Sequence, residues 1–125
     1  MSANAEDVQF LQDFAARDEL PLRVDLYLAP EESDALFAGG PSGEGRVHVR
    51  GVKLYMDGAL GSRGAALLAP YADARSEGLL VTPVETLRGY LRRAREGGLQ
   101  VATHAIGDRG NRLVLDAYRD VFADD

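Results

Sequence analysis

The chain contains no cysteine, so neither a disulfide nor a thiolate can take part in its chemistry, and that count alone leaves its compartment open. Histidine is scarce too, with only His48 and His104. No apolar run approaches the roughly 20 residues of a membrane-spanning helix. The first residues lack the basic-then-apolar pattern of a secretory signal, so the expected location is the cytoplasm, with no membrane partner. Positive charge is sparse and unclustered. A net charge of -6 without a basic block argues against a nucleic-acid partner, which would need grouped Lys and Arg. The densest basic group, Arg92, Arg93 and Arg95, falls on an expected helix among acids and reads as a solvated face. Nearly half the residues are apolar and about a quarter charged, as in a folded globular protein. At 125 residues the expectation is a single domain, 1–125, long enough to bury a core.

What is present centres on Gly51 to Arg63, GVKLYMDGALGSR. As a strand running into a glycine-rich turn, it sets Val52, Leu54 and Met56 on one face and Lys53, Tyr55 and Asp57 on the other. A second stretch, Leu99 to Asp108 (LQVATHAIGD), repeats the design and carries His104 near its end.

In chain order, Asn4 with Asp7 three residues on opens an amphipathic helix whose apolar positions are Val8, Leu11 and Phe14 or Ala15. Pro21 stops it. Leu22 to Ala29 then alternates apolar and polar as a strand does, and Pro30 opens a short acidic helix or turn. Gly39 to Gly45 reads as an exposed loop and Val47 to Met56 as the second strand. No period is sustained from Asp57 to Val81, and a connection of that length is a candidate active-site loop. Thr82, Pro83 and Glu85 form a helix start of the capping-box type, and Gly97 with Gly98 end that helix. Strand Leu99 to His104 follows, then a helix capped by Asp108 with an apolar stripe at Leu113, Val114, Ala117, Tyr118 and Val121.

Strands alternating with helices imply an α/β fold of parallel βαβ units. Each strand nevertheless carries a polar face, so either one sheet face is solvated or it lines a polar interior. In such folds functional groups gather at strand C-termini, where Lys53 with Asp57 and His104 with Asp108 fall. A lysine inside an apolar strand is costly to desolvate unless paired, deprotonated or modified, and an ion pair of Lys53 with Asp57 or Asp25 is the plain alternative. Gly58 to Gly64 could cradle a small anion on its amides, although it lacks a nucleotide-binding fingerprint. His48, at the start of its strand, reads as structural or surface.

The words VKLYMDGALGSRGAALLAPYAD, the following GLL, and GLQVATHAIGDRGNRLVLDAY resemble the central region of the amidohydrolase superfamily, in particular its family 3 type of metal-dependent hydrolases, from Val52 to Tyr118. The resemblance implies a partial (β/α)8 TIM barrel of about three strands with a metal site at the strand C-termini. The implied activity is hydrolysis of amide-type C–N bonds in a small-molecule substrate by a metal-activated water, with zinc the expected metal. It further implies that Lys53 can be carboxylated to a bridging carbamate and that Lys53 and His104 are metal ligands. Asp57, Arg63 and Asp108 are supporting or loop-ordering candidates.

The family's complete site also takes an HxH pair, a further histidine and an aspartate from other strands, and this chain has no HxH. The expectation is therefore a fragment that is inactive and binds little or no metal alone. Its uncovered strand edges should make it a homo-oligomer. The rival reading is a non-catalytic α/β module that binds a small anion at Gly58 to Gly64 or self-associates through those edges.

Overall fold

The sheet is built on β3, Val47–Tyr55, which has neighbours on both edges. In the computed structural model, which describes residues 2–123, β3 pairs in parallel with β1 (Val24–Leu28), antiparallel with β2 (Ser42–Glu44), and also with β4 (Gln100–His104). The helices are α1 (Ala5–Ala16), α2 (Asp34–Gly39), α3 (Val84–Glu96) and α4 (Asp108–Phe122), with a short 3-10 turn at Pro30–Glu32. Among the described residues no helix is long and apolar enough to cross a membrane.

The burial of β3 changes phase midway. Val47 and Val49 are buried, and so are Val52, Leu54 and Met56, two sets that a regular strand would send to opposite faces. A bulge reconciles them: Leu26 of β1 lies opposite Val49 but Tyr27 lies opposite Gly51, so Arg50 is an extra residue on β3 that resets the alternation. Gly51 sits at that reset. A Cβ there would collide with the Gln100 carbonyl, so the backbone of β4 can approach only a glycine.

The expectation of purely parallel units with about three strands needs correction, because the sheet has four strands and is mixed. The segment read as an exposed loop supplies β2, which folds back on β3 through a turn at Gly45 (φ 61°), with Ser42 opposite Val49 and Glu44 opposite Val47. Three exposed residues, Ser-Gly-Glu, carry no hydrophobic alternation, so the strand left no trace in the sequence pattern.

The chain packs as two compact units. One runs to Lys53 and includes Arg93–Ala102; the other comprises Leu54–Arg92 and resumes at Thr103. In the first, α1 opens with the expected Asn4–Asp7 capping box: the Asn4 Oδ1 accepts the Asp7 N–H at 2.9 Å and the Asp7 Oδ2 accepts the Asn4 N–H at 3.0 Å. None of its residues is fully buried. Just before it, Ala3 bridges to Leu28 and covers part of the β1 edge. At α2, the Arg93 guanidinium lies 4.0 Å over the Phe37 ring and donates to Asp34 at 2.8 Å.

In the second unit Leu54, Met56, Ala65, Ala66, Leu87 and Leu91 are all buried in the core, and α4 buries Gly110, Val114, Ala117 and Val121 at helical spacing. Both helix starts are displaced by one residue from expectation. The Pro83 carbonyl accepts from the Leu87 N–H, so α3 starts after Pro83, while the Thr82 hydroxyl donates to the Tyr55 carbonyl at 2.6 Å. Gly107, not Asp108, caps α4. The connection from Asp57 to Val81 has no helix but is pinned at its base, where Asp57 bridges to Leu80 and the Val81 N–H donates to the Met56 carbonyl.

Candidate functional site

Asp57 leaves the end of β3 and turns inward, with its side chain fully buried. It is the one fully buried carboxylate among the described residues, and its lone pairs are taken by backbone N–H groups. Its Oδ2 accepts from Ala66 at 2.9 Å and Gly107 at 2.8 Å, and its Oδ1 accepts from Ile106 at 2.9 Å. Burial by itself would raise its pKa. The three N–H groups of Ile106, Ala66 and Gly107, with His104 adding to them, outweigh burial and hold the carboxyl below its ordinary value. One side chain thus ties the glycine-rich loop to the turn between β4 and α4.

Two glycines make that approach possible. A Cβ on Gly107 would collide with the Ala66 carbonyl, and one on Gly110 would lie 2.6 Å from the Asp57 Oδ2. Asn111 closes the turn by donating from its side-chain amide to the Gly107 carbonyl at 2.8 Å and the Ala105 carbonyl at 3.1 Å. Ala66, Gly107, Gly110 and Asn111 escaped the sequence reading, which weighed side-chain chemistry; the signal for the last three was the pair of glycines and the asparagine in AIGDRGN.

His104 ends β4 beside this carboxylate. Its Nε2 lies 3.7 Å from the Asp57 Oδ1, its side chain is 30% exposed, and the Tyr55 ring stands 5.5 Å away, centroid to centroid. Asp57 and His104 are therefore brought together. Arg63 and Asp108 are engaged elsewhere: Arg63, at φ 57°, makes a two-point pair with Asp73 (3.1 and 2.8 Å), and the exposed Asp108 accepts the Leu68 N–H at 2.9 Å. The hydrogen bonds to Asp73 raise the Arg63 pKa further.

Lys53, in the other unit, is half-buried on β3, and burial lowers its amine pKa. His48 is half-buried on the same strand, with Nε2 3.1 Å from the Gly45 carbonyl in the hairpin turn. In the glycine-rich loop the N–H groups of Gly58, Arg63, Gly64 and Ala65 all donate to carbonyls of the loop itself. Among the described residues no three His, Cys, Asp or Glu side chains cluster so as to hold a metal ion.

A family model described as the amidohydrolase family matches residues 1–125, the whole chain. The chain belongs to the amidohydrolase family. Among the relatives of this amidohydrolase chain, LONG AFTER FAR-RED 3 of Arabidopsis thaliana is 42% identical over 78 residues, 62% of this chain and 13% of that protein. YtcJ of Bacillus subtilis (strain 168), assigned by name to the amidohydrolases, is 49% identical over 67 residues, 53% of this chain and 13% of its own length. Two solved structures, of uncharacterized metal-dependent hydrolases from Pyrococcus horikoshii OT3 and Pyrococcus furiosus, superpose with TM-scores of 0.89 and 0.90 at 36% and 35% identity. They cover 96% and 97% of this chain, which spans 26% of each. The α/β fold of this amidohydrolase segment is thus shared with about a quarter of each of those hydrolases.

Proposed function

We propose that this chain is a segment of a (β/α)8 amidohydrolase barrel that hydrolyses amide-type C–N bonds of small molecules, and that Lys53 and His104 are the metal ligands it contributes. The observation that carries the reading is Lys53, the chain's only lysine, set among buried Val52 and Leu54 with its amine pKa lowered by burial. A lowered pKa raises the neutral fraction of the amine, the form whose nitrogen lone pair can bond to the carbon of carbon dioxide. Loss of the proton from that nitrogen then leaves a carbamate, so the cationic side chain becomes an anionic oxygen donor. The imidazole of His104 is part-exposed at the end of its own strand, where such folds collect their chemistry. Both residue types fit a divalent metal, with zinc the preferred occupant for nitrogen and oxygen donors. The metal would supply an activated water; the chain's own part is to supply the two donors.

Two donors fall short of the roughly four that zinc prefers, so the isolated chain should be inactive and bind zinc weakly. Equilibrium dialysis tests this: stoichiometric, tight zinc binding by the isolated chain would overturn the view that its site is incomplete. Native mass spectrometry with bicarbonate and no metal should show no stable gain of one carbon dioxide. A gain that persists, and disappears in Lys53→Ala, would contradict the dependence of the carbamate on metal.

A further inference from the structure

His104 does not face solvent symmetrically. Its Nε2 edge points to a carboxylate that has no exposure at all, whereas the side chain as a whole is 30% exposed. The two oxygens of that carboxylate are unequally used: Oδ2 accepts two backbone N–H groups, from Ala66 and Gly107, and Oδ1 accepts one, from Ile106. A carboxylate oxygen can accept two, so Oδ1 keeps acceptor capacity, and the nearest ring nitrogen is Nε2 at 3.7 Å. That separation is longer than a hydrogen bond and acts as an electrostatic contact. Since the carboxylate is buried, the contact is little screened by solvent or salt. A ring nitrogen presenting its lone pair to this oxygen is repelled, and one presenting N–H is attracted.

We propose that Asp57 is a positioning residue for His104: it holds the neutral imidazole in the Nε2–H form and leaves Nδ1 as the lone-pair nitrogen, the atom available to a Lewis acid or a proton. The same carboxylate holds Ile106 and Gly107, two and three residues past His104, so ring and turn are set by one anchor. Tyr55, 5.5 Å from the ring, flanks the imidazole. The inference deepens the proposed ligand role only in stating which nitrogen serves it; the tautomer itself is a property of the metal-free chain.

The test is long-range proton–nitrogen correlation NMR on the full chain with labelled histidine and no metal, at a pH where the imidazole is neutral. In the folded chain His104 should show a protonated Nε2 and an unprotonated Nδ1, with the minor tautomer suppressed about tenfold relative to the urea-unfolded chain, equivalent to about 1.4 kcal/mol. A folded-state tautomer ratio equal to the unfolded one, or an Nδ1–H form, overturns the proposal. In Asp57→Asn, with folding checked by circular dichroism, the ratio should move back toward the unfolded value, and an unchanged ratio in a folded variant also overturns it. If that variant does not fold, the wild-type comparison alone decides. Zinc titration is read separately, so a chain that shows the predicted tautomer but no metal contact at Nδ1 refutes the ligand role and not this one.

Discussion

Asp57 is where a single residue matters most. Replacing it with Ala would leave the N–H groups of Ala66, Ile106 and Gly107 without their acceptor. At ~1–3 kcal/mol for each buried unsatisfied donor, with some relief from entering water, the expected loss is about 3–5 kcal/mol of unfolding free energy in a urea titration. The pH dependence follows from its lowered pKa. A carboxyl whose folded value lies below its unfolded value stabilises fully above the ordinary carboxylate range, and the gain is lost as pH falls through the lower folded value. Asp57→Asn should therefore flatten the acid limb of the stability curve. An acid limb identical to wild type would mean that other carboxylates dominate it. Gly110→Ala tests the same anchor from the opposite side, since its Cβ would arrive 2.6 Å from the Asp57 Oδ2. It should cost at least about 1 kcal/mol, the lower end for overpacking.

At the scale of elements, α1 and α4 are held by different means. α4 buries Gly110, Val114, Ala117 and Val121, so tertiary packing holds it. α1 buries no residue fully and depends on its ends, namely the Asn4–Asp7 capping box and the Asp18 turn at φ 57°. Asn4→Ala should cost about 1 kcal/mol. Hydrogen exchange should locate that loss in the first turns of α1, leaving α4 protected. Uniformly faster exchange in both helices would show that α1 is coupled to the rest of the chain more tightly than its burial implies. The Arg50 bulge is the other decision made at this scale. It lets the Val47–Val49 pair and the Val52–Leu54–Met56 set both be buried, and a strict two-residue period could not have announced it.

For the whole molecule, the surface of the second unit leaves large apolar side chains in water. Leu60, Leu68, Leu79 and Val81 are each more than half exposed, and Ile106 is 45% exposed. Soluble monomers seldom leave extended apolar surface bare, and unpaired strand edges add to the tendency to associate. We expect the isolated chain to form a homo-oligomer or to aggregate at micromolar concentration. Light scattering after size exclusion measures this directly, and a monodisperse monomer at high concentration would refute it.

The amphipathic periods of α1, α3 and α4, the alternation of β1 and of β3 from Val52 onward, and the caps at Asn4 and Gly97–Gly98 were all legible in the sequence, because each is a local pattern of side chains repeating at the period of its own element. So was the family, since long runs such as VKLYMDGALGSRG survive as words. The hairpin strand β2 was not legible, because its exposed residues have no hydrophobic alternation and its pairing partner supplies the order. The inward turn of Asp57 was equally hidden. Strand alternation set it beside Lys53 and Tyr55 on a chemical face, whereas the fold withdraws it to meet N–H groups as far as 50 residues away in sequence. Only tertiary structure brings Ala66, Ile106 and Gly107 to one carboxylate, since a buried anion finds its donors through space rather than along the chain.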